Sequence, residues 1–121
     1  MVTGSIFEIQ PRQDYTLVRF FGFVDAATVL QIKPAIQRQM PESCANIVID
    51  LKGVGFLDSH GVGLFVSFLK QAHRQKGRIV FAGATGQPAS VLHMVGLNGA
   101  LVTYCETVKE AFKMFEKDEA V

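Results

Sequence analysis

A chain of 121 residues with 49% hydrophobic residues has the size and apolar content of one domain with one core, and the composition excludes disorder. Twelve basic residues stand against 11 acidic ones, for a net charge of +1, so there is no electrostatic footprint for nucleic acid or an acidic membrane surface. The two cysteines, Cys44 and Cys105, belong to no CxxC pair or Cys/His cluster, which argues against zinc and for buried or half-buried free thiols in a reducing compartment. No signal peptide opens the sequence, and no apolar run approaches the roughly 20 residues that span a bilayer. The expected address is the cytoplasm, with no direct membrane insertion.

In chain order, residues 5–10 and 15–21 read as two strands around the turn "PRQD". The second run, "YTLVRFF", is β-branched and aromatic and is expected to stop at Gly22. Asp25 is placed to cap a helix over about 26–39, where Val29, Ile32, Ile36 and Met40 recur at helical spacing. Pro34 disturbs that helix: either it kinks there, or a turn precedes a helix that starts near Lys33. "ANIVIDL" (45–51) is an interior strand buried on both faces, and "KGVGFLDSHG" reads as the connection after it. A second helix over 60–75 carries the stripe Val62, Phe65, Val66, Leu69 and Ala72, with Gly77 expected as its left-handed cap. "RIVFAG" (78–83) is a further interior strand. A short helix over 87–95 follows, with Pro88 near its start and Gly96 after its end. "ALVTYC" is the last strand. Thr107 and Glu110 then form a capping box for a final helix whose inner face is Val108, Ala111, Phe112 and Phe115. The order β-β-α-β-α-β-α-β-α predicts an α/β fold of one domain over 1–121. Its mixed sheet has parallel central strands and an antiparallel edge, with about four helices.

The chemistry-bearing stretch is "VGFLDSHGVG", residues 54–63. Asp58, Ser59 and His60 are the ingredients of a hydrolase triad, but consecutive residues at a helix start point in different directions and cannot relay a proton among themselves. Leu57 also stands where a nucleophile elbow needs glycine, so a serine hydrolase would need His73 or His93 as a distant base. The glycines at 53, 55, 61 and 63 lack both the GKS/GKT ending and the GxGxxG spacing of phosphate-binding loops. A strand-to-helix turn accounts for the segment with Asp58 or Ser59 as cap and Gly61 and Gly63 close to the strand. A functional reading keeps the cap and adds a modification. A hydroxyl at a helix N-terminus faces unsatisfied N–H groups and the positive end of the dipole. A phosphate there would add about −1.5 to −2 charge beside Asp58 and would disturb an interface rather than the fold.

"IVIDLKGVGFLDSHGVGLFVSFLKQAHRQKGRIVFAG" closely resembles the strand, Asp-Ser-x-Gly switch and helix of STAS domains, in particular the bacterial anti-sigma factor antagonists. "FFGFVDAATV" is similar to that family's Gly-x-Leu-Asp segment, and "VLHMVGLNGAL" to its third helix and the following strand. The resemblance implies a non-enzymatic protein–protein switch that needs no cofactor or metal. Its unmodified form binds an anti-sigma factor that is also a serine-protein kinase. Phosphorylation of Ser59 ends that complex, and a serine phosphatase restores it. The resemblance makes Asp58 the acidic neighbour and Asp25 the second acidic residue of the site, and makes Gly61 and Gly63 the glycines that open the helix. His60 departs from the usual Ser or Thr after the acceptor; it is either a contact residue or simply solvent-exposed. Leu64 and Phe68 follow His60 at i+4 and i+8. They either widen the core face or form a partly exposed docking patch beside Ser59. The rival function on the same fold is an unphosphorylated accessory subunit or regulatory module of a membrane transporter.

Overall fold

The computed structural model describes residues 6–99 and 101–116. The elements are β1 (Phe7–Pro11), β2 (Thr16–Val24), α1 (Ala26–Gln39), β3 (Ile47–Leu57), α2 (Ser59–Arg74), β4 (Ile79–Ala82), α3 (Gly86–Met94), β5 (Thr103–Cys105) and α4 (Val108–Glu116). This is the predicted order. The five strands form one sheet in the order β1-β2-β3-β4-β5, with β1 antiparallel to β2 and the remaining pairs parallel.

Side chains alternate across each strand, so the interior strands feed two apolar layers. Val18, Phe20, Ile47, Ile49, Ile79 and Phe81 join the buried residues of α1 and α2 in the larger layer. Leu17, Val48, Val80 and Ala82 meet Ala111 of α4 in the smaller one. Both faces are covered, which is why "NIVIDL" reads as a nearly continuous apolar run. The charged member of that run, Asp50, is buried but paired: its carboxylate accepts from Arg19 Nε at 2.7 Å and from the Lys52 N–H at 3.0 Å.

Several boundaries differ from the sequence reading. β2 runs past Gly22 to Val24, and β3 runs on through the presumed connection to Leu57. Gly22 stays in the strand with φ +76. The β2–β3 register shifts twice, between Arg19 and Phe21 and between Gly22 and Phe23. These bulges break the period of two, and the last buried residues of β3 fall at Leu51, Val54 and Leu57. α1 is continuous through Pro34, with no second start near Lys33. Pro34 and Leu30, whose carbonyl loses its partner there, are both exposed, so water can take the place of the missing bond. After α2 the left-handed residue is Lys76 (φ 62), not Gly77. Gly77 N–H donates to Ala72 O and Lys76 N–H to His73 O, a Schellman closure with glycine one place later than expected. Glycine is required there because a Cβ would stand 2.0 Å from the Ala45 carbonyl oxygen. β5 begins only at Thr103. Residue 5 of the first predicted strand and residue 100 of the last lie outside the described residues.

Of the two readings of Leu64 and Phe68, burial favours the wider core face over the docking patch. The two residues are 4% and 3% exposed, and the buried residues of α2 are Gly61, Leu64, Phe65, Phe68 and Ala72. Val62, Val66 and Leu69 only flank this core. α2 packs against α1 as well as the sheet, so it needs two buried sides. Leu64 and Phe68 face α1, where with Ile36 and Met40 they line the groove between the two helices, and the Phe68 ring meets Phe20 at 6.4 Å. No apolar docking patch exists at these two positions.

Candidate partner-docking site

β2 and β3 end side by side, with Val24 paired to Leu57. Each strand is followed by an aspartate that keeps extended geometry and caps a helix: Asp25 at φ −120, ψ −176 and Asp58 at φ −114, ψ −173. Asp25 Oδ1 accepts from the Thr28 N–H at 3.0 Å. Asp58 Oδ1 accepts from the N–H groups of His60 (2.8 Å) and Gly61 (3.2 Å), and its Oδ2 accepts from the Ala26 N–H at 3.1 Å. One carboxylate thus ties the first turn of α2 to the first residue of α1, on donors that helix termini leave free. Burial alone would raise the Asp58 carboxyl pKa. The hydrogen bonds from Gly61, His60 and Ala26, with the His60 ring beside them, outweigh it and hold the group below its ordinary value near 3.8.

The backbone under this cap is held on both sides. Asp58 N–H donates to Val24 O at 3.3 Å. On the other side β4 ends at Ala82, opposite Asp50, and a side chain continues the ladder. Gln87 of α3 accepts from the Leu57 N–H through Oε1 and donates to the Leu57 carbonyl through Nε2, both at 2.8 Å. Gly61 closes the packing below: a Cβ there would lie 2.4 Å from Leu57 Cδ1 and 2.5 Å from Val24 O. At Gly63 an added Cβ meets nothing within 4 Å, so that glycine does not press against the strand as predicted.

Ser59 is the first residue of α2 and is exposed. His60 is also exposed, its Nδ1 3.7 Å from Asp58 Oδ2. The site therefore brings together Asp25, Asp58, Ser59, His60 and Gly61, and leaves Leu64 and Phe68 in the core. It does not assemble a relay. Both oxygens of Asp58 are held by backbone N–H groups, and His73 lies in the last turn of α2, about 21 Å along the helix by its rise. His93 is in the last turn of α3. Among the described residues, no three His, Cys, Asp or Glu side chains are grouped to hold a metal, and no helix is long and apolar enough to cross a membrane. Cys44 is buried and Cys105 half-buried, and burial pushes both thiols up.

Three residues near the site were not singled out from the sequence. Gln87 has no local signature; only the fold shows an amide meeting a strand end. Phe23 and Phe56 stand two places before the two capping aspartates, in "FVD" and "FLD", and this short repeat was there to be noticed.

Residues 7–111 match the STAS domain family. The anti-sigma-B factor antagonist of Listeria monocytogenes is 27% identical over 92 residues, which cover 75% of this chain and 81% of that protein. The antagonist of the same name from Staphylococcus aureus is 25% identical over 80 residues, covering 66% and 74%. Among solved structures, an anti-sigma-factor antagonist (STAS) domain protein from Planctomyces limnophilus superimposes with a TM-score of 0.79 at 21% identity, over 90% of this chain and 96% of that one. The Bacillus cell fate determinant SpoIIAA in its phosphorylated form gives a TM-score of 0.69 at 24% identity, over 89% and 97%. With an Asp-Ser turn at the head of α2, a mixed five-stranded sheet and this match over most of its length, the chain belongs to the STAS domain family.

Proposed function

We propose that this chain is an anti-sigma factor antagonist in a partner-switching pathway, with Ser59 as the residue that sets its state. Unmodified, it binds an anti-sigma factor that is also a serine-protein kinase. The kinase transfers the γ-phosphoryl group of ATP to Ser59 Oγ, the hydroxyl proton leaves to a kinase base, and ADP stays behind on the kinase. A serine phosphatase hydrolyses the phosphoserine and resets the chain. The observation that carries this reading is an exposed serine at the first position of a 16-residue helix whose next two N–H groups, of His60 and Gly61, are already bound to Asp58.

That last point decides how a phosphate would act. The N–H groups of His60 and Gly61 are bound to Asp58, and the Val62 N–H donates to the Asp58 carbonyl at 3.0 Å. A phosphate on Ser59 therefore has little reason to pull the helix start into a new arrangement, and the positive end of the α2 dipole tolerates it. Its charge stays at the surface beside Asp58, where it meets the docked partner and the nucleotide phosphates that partner still holds. Like charges pressed together with water excluded cost far more than they do in solution.

The test is to purify the chain's partner from its native cells, incubate the pair with ATP and map the product by mass spectrometry. The expected result is one phosphate, on Ser59, absent from Ser59→Ala. A partner that transfers no phosphate, such as a transporter subunit, would contradict the proposal.

A further inference from the structure

The ends of β2 and β3 repeat one another. Phe23-Val24-Asp25 lies beside Phe56-Leu57-Asp58, with Phe23 paired to Phe56 and Val24 to Leu57. In both, the middle residue is buried: Val24 at 1% and Leu57 at 0% exposure. In both, the aspartate keeps extended geometry, so its side chain falls on the same side as the phenylalanine two places earlier. Two phenyl rings 5.6 Å apart thus share one side of the strand ends with two carboxylates.

These rings do not serve the core. Phe23 is 62% exposed and Phe56 37%, and neither joins a buried cluster. β3 carries glycine beside the Phe23 ring: a Cβ added at Gly55 would lie 3.9 Å from one of its carbons. Exposed aromatic pairs ringed by polar groups are what binding hot spots are made of.

Resting on the reading of Ser59 given above, we propose that Phe23 and Phe56 anchor the protein that phosphorylates Ser59. The surface that seats on them is apolar and edged by arginine or lysine. Continuity selects this occupant: Phe56 is three residues from Ser59, on the strand that delivers it. Charge selects the chemistry: the Asp25 and Asp58 carboxylates accept from backbone N–H groups but pair with no lysine or arginine among the described residues, and a guanidinium from the partner can supply that counter-charge and stack on a phenyl ring. The anchor and the switch are then separate parts of one interface. The rings hold the partner, and the modification at Ser59 expels it.

The experiment places the photo-reactive analogue benzoylphenylalanine at position 23 or 56 of the full chain in its native cells, with Met94, exposed on α3, as the control position. The expected crosslink from 23 and 56, absent from 94, is to a protein that phosphorylates Ser59 with ATP when purified. The double variant Phe23→Ser, Phe56→Ser should bind that protein about tenfold or more weakly. Its KM as a phosphorylation substrate should rise, while kcat and Tm change little. A kinase that modifies Ser59 but binds the double variant with unchanged affinity would overturn the anchor alone. Crosslinks only to a second copy of the chain, or to a protein that never phosphorylates Ser59, would overturn it together with the switch reading.

Discussion

Gly61 and Gly63 sit two residues apart in the first turns of α2 and have opposite reasons to be glycine. The Cβ of an alanine at 61 would collide with Leu57 and with the Val24 carbonyl, whereas at 63 it enters open space. Gly61→Ala is expected to destabilise by roughly 1–3 kcal/mol through overpacking. Gly63→Ala is expected to stabilise by about 0.8–1 kcal/mol, the helix preference for alanine. Urea denaturation of the two variants checks both signs, and two shifts in the same direction would contradict the packing described. Phe68→Ala belongs with the core: roughly 3–5 kcal/mol of lost stability follows from its burial. Asp58 adds a pH signature. Its folded carboxyl titrates below its unfolded value near 3.8. Its stabilisation is therefore complete above that value and disappears as pH falls through the lower folded value. Asp58→Ala should cost about 0.5–2 kcal/mol at pH 7, as a lost helix cap, and the gap to the unmodified chain should narrow as pH falls below the unfolded value near 3.8. A gap that widens on acidification would contradict the capping role.

At the scale of elements, the order of strands and helices was legible because each buried face follows from local residues. Thr107 and Glu110 form the predicted box, with Glu110 N–H to Thr107 Oγ1 and Thr107 N–H to Glu110 Oε1, both at 3.1 Å. Asp25 caps α1 as expected. Illegible features depended on a distant partner. Lys52–Leu57 does not alternate, since bulges put its buried residues three apart, and it is a strand because β2 lies beside it. Leu64 and Phe68 are core because α1 covers them, which no pattern within α2 reveals. Ser59, Asp58 and Asp25 were legible as a site through the resemblance and the capping chemistry. Gln87 was not, because its role exists only once α3 is placed against the end of β3. Gln87→Leu removes both bonds to Leu57 and is expected to cost about 1–3 kcal/mol. Amide hydrogen exchange at Leu57 should speed up by more than the loss of global stability accounts for. Exchange at Leu57 that merely tracks Ile49 would contradict a local role.

For the whole molecule, the sheet and its helices hold one corner still. Leu57 is locked between Val24 and Gln87, and Asp58 joins the starts of α1 and α2. A switch built there changes what the surface repels and leaves the interior as it was. On the proposal that Ser59 is modified, the fold would let the chain change state without unfolding, because the added group would ride on a rigid corner. This separation of state from stability is the central claim. It is tested most directly by measuring, on one preparation, the affinity of the purified kinase and the thermal midpoint of this chain before and after stoichiometric phosphorylation. The account predicts an affinity lower by about a hundredfold or more, as expected of an uncompensated charge in an interface, with the midpoint moved by no more than about 2 °C, an effect below 1 kcal/mol for a chain of this size. Unchanged affinity, or affinity lost only in step with a collapse of the midpoint, would contradict it.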